Sequence, residues 1–186
     1  SNDYFATKAK DYDNEKSRTQ NVSTIAKTIL QEISFSKKMS IMDFGSGTGL
    51  LLSEIAPYVG EITAVDVSSA MTEVLKSNKE EIKCYLQIVQ MDLTKENLEQ
   101  KFDAIISSMT IHHIEDVLSL FKKFHSLLKD EGTIALADLD TEDGSFHTED
   151  TGVFHFGFER EDFVEMARKA GFKDIKIQDA STIAKP

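Results

Sequence analysis

The residues best suited to chemistry stand together in Asp43-Phe44-Gly45-Ser46-Gly47-Thr48-Gly49. A short apolar run, Ser40–Phe44, leads into this segment, and a leucine-rich stretch, Leu50–Ala56, leads out of it. A strand that enters a glycine-rich turn and opens onto a helix makes a site for an anionic or strongly polar group. Glycine accepts positive φ and leaves no Cβ in a ligand's way. The helix behind it offers unpaired N–H groups and the positive end of its dipole. About 20 residues after the turn begins, the apolar run Glu61–Val65 ends at Asp66, where a carboxylate can accept both hydroxyls of a ribose. The two features together point to a nucleoside-bearing cofactor lying across the ends of two neighbouring strands. A dinucleotide fingerprint wants glycines at the first, third and sixth positions of the loop; here the sixth is Leu50, and the glycines fall at one, three and five.

The elements that must position these residues alternate between helical and strand periodicity, the pattern of a parallel α/β sheet. Val22, Ile25, Ala26, Ile29, Leu30 and Ile33 recur at helical spacing and predict a helix over about Ser17–Phe35. Strands are predicted at Ser40–Phe44, Glu61–Val65, Tyr85–Val89, Phe102–Ser107, Gly132–Ala137 and Lys173–Gln178. Helices are predicted at Leu50–Ala56, Ala70–Ser77, after a cap at Asp116 with Val117, Leu120, Phe121, Phe124, Leu127 and Leu128 inward, and at Glu161–Ala170 with Gly171 as a left-handed stop. The expected architecture is a single-domain, Rossmann-like, doubly wound α/β fold. Its sheet is mostly parallel with helices on both faces.

Composition narrows the partners. The 186 residues carry 21 Lys+Arg and 32 Asp+Glu, a formal net charge of −11. That balance disfavours nucleic acid, whose affinity is dominated by phosphate neutralisation, and anionic membrane surfaces. The pairs Lys37-Lys38 and Lys122-Lys123 are short and read as solvated faces. A lone cysteine, Cys84, excludes an internal disulfide. The polar N-terminus and the lack of a long apolar run make a cytoplasmic location the expectation.

The segment Asp43–Gly49 resembles motif I of class I S-adenosylmethionine-dependent methyltransferases, and the likeness extends along nearly the whole chain. Val65–Met71 resembles the acidic second motif, Gln90–Leu93 the third, Phe102–Ile114 the fourth and Leu127–Asp138 the strand-five motif. Phe5–Asp13 resembles the N-terminal segment of the small-molecule branch that includes ubiquinone/menaquinone-type methyltransferases. The resemblance implies S-adenosyl-L-methionine as cofactor and a small-molecule methyl acceptor, with no nucleic acid or membrane partner. It implies that Gly45, Ser46 and Gly47 form the loop approached by the methionine moiety, organised by Asp43, which also assists the amino group. Asp66 would bind the ribose, Val67 and Met71 would flank the adenine, and Asp92 with the Leu93 N–H would meet the adenine amino group. Ser108 would sit beside the methionine part. Residues 1–16 would form a lid and 138–158 an acceptor-site loop, with aromatics such as Phe154, Phe156 and Phe158 lining it.

Blander readings accompany each of these. Asp66 alone suits a helix N-cap, and Asp92 alone a turn. Met39, Met42, Met91 and Met109 suit core filling. His112 and His113 titrate near neutrality and are candidate general bases; otherwise one packs beneath the loop while the other faces the methionine end of the cofactor. Asp138, Asp140, Glu142, His147 and His155 lack tight ligand spacing, and no metal is expected. The competing functions are a non-catalytic S-adenosylmethionine-binding regulator and a nicotinamide-dependent oxidoreductase, the latter opposed by Leu50. Calorimetry distinguishes the cofactor classes: S-adenosylmethionine and its demethylated product should bind and NAD should not, and tighter binding of NAD would overturn the assignment.

Overall fold

The computed structural model describes residues 16–138 and 158–177. Its helices are α1 (Lys16–Glu32), α2 (Leu50–Ile55), α3 (Ser69–Ser77), α4 (Val117–Leu127) and α5 (Arg160–Lys169). Its strands are β1 (Ser40–Phe44), β2 (Glu61–Asp66), β3 (Tyr85–Gln90), β4 (Phe102–Ser108) and β5 (Leu128–Ala137). They form one sheet ordered β3-β2-β1-β4-β5, and every pairing is parallel. Alternate residues feed two cores. Ile41, Ile62, Ala64, Ala104 and Ile106 face α1, α2 and the Leu75 side of α3. Met42, Phe44, Val65 and Ile105 face the Phe121, Phe124 and Leu127 side of α4, with Ala167 of α5. This is the doubly wound arrangement expected of a Rossmann-like sheet, with helices on both faces.

The caps explain where the helices begin and end. Asp116 accepts from the Ser119 N–H at 3.1 Å and starts α4. Ser68, and not Asp66, caps α3 through the Met71 N–H. Beyond α5, Gly171 at φ 109° lets its own N–H reach Arg168 O and the Phe172 N–H reach Ala167 O, a paired C-terminal closure.

Three expectations need correction. The first helix ends at Glu32 rather than Phe35. Leu128 opens β5 instead of completing the face of α4, and β5 bulges opposite β4, its register stepping from Leu128 to Thr133 while β4 advances from Phe102 to Ala104. Lys173–Gln178 does not form the sixth strand: residues 173–177 have no strand structure, and Gln178 lies outside the described residues. Asp174 at φ 54° breaks the extended alternation, and Phe172 and Ile175 turn back against the α4–α5 core instead of pairing along β5.

The glycine loop also shows why position five, not six, carries the third glycine. Gly49 is at φ 96° before α2, and a Cβ there would lie 2.6 Å from Leu75 Cδ1. Gly49→Ala should therefore cost about 2–4 kcal/mol, from the left-handed backbone and overpacking together. Urea denaturation measures it; wild-type stability in the variant would contradict this packing.

Candidate functional site

Parallel strands place their carboxyl ends on one edge of the sheet, where open α/β sheets bind ligands. A cleft of about 870 Å³ lies there, within the usual range for small-molecule and cofactor sites. Its wall includes Asp43 and Gly45–Thr48 from the β1 turn, Asp66, Val67 and Met71 from the β2–α3 junction, Asp92 and Leu93 after β3, and Ser108 and His113 after β4. All ten cofactor-site residues expected from the sequence line this one cleft, although their positions in the chain run from 43 to 108.

The turn is held against β2 by backbone bonds from the Gly45 and Ser46 N–H groups to Val65 O, at 2.8 and 3.1 Å. Asp66 completes the link. Its Oδ2 accepts from the Gly47 N–H and its Oδ1 from the Ser68 N–H, both at 2.8 Å. Gly45 and Gly47, both at positive φ, differ in purpose. A Cβ on Gly45 would run into the side chain of Thr110, so that glycine allows the β1 and β4 turns to meet. A Cβ on Gly47 would meet nothing, so that position opens onto the cleft.

Three polar groups stand out. Asp43 is 1% exposed, and its Oδ2 has no hydrogen-bond partner. Burial, reinforced by the charge of Asp66, pushes its carboxyl well above the usual carboxylate range. Asp66 is also raised by burial, against the opposing pull of the N–H groups of Ser68, Gly47 and Val67. Ser108 Oγ is likewise buried without a partner. Met71 is buried, whereas Val67 is 39% exposed at the rim. Asp92 acts as a turn residue, its Oδ1 accepting from the N–H and hydroxyl of Thr94, while still facing the cleft.

The two histidines separate. His113 lines the cleft; His112 is buried behind it, with Nδ1 2.7 Å from Asp138 Oδ1. Asp138 serves as a partner for His112; Asp140, Glu142, His147 and His155 lie outside the described residues. Phe158 is not a cleft residue. It is buried in the α4–α5 core against Phe163, at 5.3 Å between ring centroids, because it immediately precedes the α5 segment that packs there. Phe154 and Phe156, and nearly all of the expected lid, lie outside the described residues.

Some cleft residues carry no obvious signal in the sequence. Met91 and Met109 line the cleft, Met109 at φ 57°. Lys123 is no solvated charge: its ammonium donates to the carbonyls of Leu93 and Glu96 and ties α4 to the turn after β3. The helical spacing that puts Lys123 beside buried Phe124 hints at a boundary position, but not at its acceptors.

A family model described as a methyltransferase domain matches residues 18–177. An uncharacterized methyltransferase of Schizosaccharomyces pombe is 32% identical over 163 residues, covering 79% of this chain and 56% of the relative. A malonyl-[acyl-carrier protein] O-methyltransferase of Ilyobacter polytropus is 29% identical over 73% of this chain and 50% of its own length. The chain therefore spans little more than half the length of these curated relatives. In fold, it superposes on the DhpI–SAM–HEP complex with a TM-score of 0.73 at 15% identity, over 91% of this chain and 86% of that one. The chain belongs to the methyltransferase domain family and has the fold of class I S-adenosylmethionine-dependent methyltransferases.

The Asp43 geometry has a consequence for stability. A carboxyl whose folded pKa is raised contributes stability below its unfolded pKa and loses it as pH rises through the folded value. Asp43→Asn, which resembles the protonated acid, should gain stability over wild type as pH rises from about 5 to about 8. Denaturation of both proteins across that range tests it; parallel curves would contradict a raised Asp43.

Proposed function

We propose that this chain binds S-adenosyl-L-methionine in the cleft and catalyses methyl transfer to a small-molecule acceptor. The observation that carries the reading is the buried, unpartnered Asp43 Oδ2 in the wall of the cleft onto which the glycine at position 47 opens. A carboxylate oxygen sealed without a donor calls for a cationic hydrogen-bonding ligand. The methionine end of the cofactor offers an ammonium. Gly47 leaves room for it to approach, so the residues present fit the group. The nicotinamide reading receives no comparable support; a non-catalytic S-adenosylmethionine-binding regulator would share the same cofactor site, and the transfer assay below separates it from an enzyme.

Each residue then has a task. Asp43 would hold the ammonium, and Ser108 Oγ would supply a second polar contact at the methionine end. Asp66 would accept from the ribose hydroxyls on the lone pairs that the Gly47 and Ser68 N–H groups leave available. Met71 and Val67 would sandwich the adenine, while Asp92 and the Leu93 N–H read its amino edge. When bound, the cofactor supplies an electrophilic methyl on a sulfonium, already a good leaving group. The protein's contribution is then mainly alignment of the acceptor with that methyl. An acceptor that must lose a proton also needs a base, and among the described residues His113 offers an imidazole on the cleft wall.

A small acceptor accords with the size of the cleft and with the acidic chain, which disfavours nucleic acid. A relative named as a ubiquinone biosynthesis O-methyltransferase points the same way. We assign acceptor choice to the 138–158 segment and the N-terminal lid, since loops on a rigid scaffold usually carry specificity. Labelled methyl transfer to a panel of phenols, thiols, amines and carboxylic acids tests the activity; cofactor binding with no transfer to any of them would favour a regulator. Asp66→Ala should weaken S-adenosylhomocysteine binding roughly ten- to a hundred-fold, and Asp92→Ala less, because the Leu93 N–H remains. Wild-type calorimetric affinity in Asp66→Ala would remove the ribose role.

A further inference from the structure

β4 and β5 part at the cleft, and two ties hold them where they do. The Met109 N–H donates to Ala137 O at 2.7 Å. The next residue, Asp138, grips the turn at Ile111–His113 with both carboxylate oxygens. Its Oδ2 accepts from the His112 backbone N–H at 3.1 Å, and its Oδ1 lies 2.7 Å from His112 Nδ1. Both side chains are nearly sealed, at 6% exposed for His112 and 3% for Asp138.

A carboxylate only accepts, so this contact puts the proton of His112 on Nδ1 and fixes both the plane and the tautomer of the ring. His112 does not line the cleft, but His113 does, and the two rings lie 4.2 Å apart at 38°. The strand end therefore holds one imidazole, and that imidazole forms the floor under another that faces the cleft. Burying a carboxylate and an imidazole has a desolvation cost that an apolar pair would avoid. A fixed hydrogen-bonding direction is what the polar pair adds.

We infer that Asp138 and His112 are positioning residues that hold His113 at the methyl-transfer end of the cleft, where it meets the acceptor. This rests on the methyltransferase reading above. Neither residue touches the reacting atoms; they act through the placement of His113, as outer residues orient the histidines of other sites.

Long-range proton–nitrogen NMR of protein labelled with nitrogen-15 histidine tests the inference, with S-adenosylhomocysteine as the probe ligand. In wild type, His112 should carry its proton on Nδ1, and added S-adenosylhomocysteine should move the His113 ring signals. In Asp138→Asn, one oxygen becomes an amide that faces a donor. His112 should lose its single tautomer and the His113 signals should shift or broaden, while ligand affinity stays within about threefold. His112→Asn retains a donor toward Asp138 but removes the ring beneath His113, and should disturb His113 in the same way even if Asp138→Asn fails to fold. A wild-type His112 with a bare Nδ1, or His113 signals unchanged in both variants, would overturn the positioning role. Failure of folded wild type to bind S-adenosylhomocysteine would instead overturn the cofactor reading, because the His112 tautomer is read without ligand.

Discussion

The hydrogen bond from the Gly47 N–H to Asp66 Oδ2 joins two segments that sequence places 19 residues apart, and the site depends on it. It fixes the glycine turn of β1 to the end of β2, and with the Ser68 N–H on its other oxygen it also orients the start of α3. The parallel register makes this possible. Asp43 pairs with Ala64 and Phe44 with Val65, so both strands end at the same level and their acids come together. β4 pairs on the other side of β1, Asp43 with Ile106, which brings Ser108 and the turn after it to the same edge.

Bringing acids together has an electrostatic cost. Asp43 and Asp66 both hold their protons more tightly than free carboxyls do, through burial first and, for Asp43, the neighbouring charge second. A ligand carrying positive charge would relieve both. The same group that makes the unliganded site less stable at higher pH thus favours a cationic occupant, a trade seen often at functional sites. Local backbone strain follows the same logic. Met109 takes a left-handed conformation where β4 enters the cleft, held by its bond to Ala137 and by the grip of Asp138 on the following turn.

Lys123 and Phe158 show how composition misleads. A lysine pair on a helix reads as solvated charge, yet the stem of Lys123 carries its ammonium across to two carbonyls on the turn after β3. An aromatic in a polar, irregular stretch reads as a pocket wall, yet Phe158 belongs to the core because α5 follows at once. Periodicity describes an element's own faces; it does not describe what another element brings to them.

What the sequence determined by itself was local or periodic. The positions of β1 to β4, the caps at Asp116 and Gly171, and the glycine turn with Asp66 at the next strand's end were legible because each rests on neighbouring residues or on a repeat. The ten residues expected to hold a cofactor were picked out by their resemblance to family motifs, and the structure brings them to one cleft. Only the tertiary structure decided which histidine faces that cleft. His112 and His113 are adjacent and chemically identical, and a distant carboxylate, Asp138, draws one of them into the interior. Only the tertiary structure decided that Gly45 yields to Thr110 while Gly47 opens to the cleft, since both are simply glycines in the turn. The sixth strand failed for a related reason: alternation at Lys173–Gln178 promised an extended segment, but packing of Phe172 and Ile175 against the α4–α5 core outweighed it. Contacts between residues far apart in the chain leave no trace in local spacing, and such contacts assign the individual roles within the site.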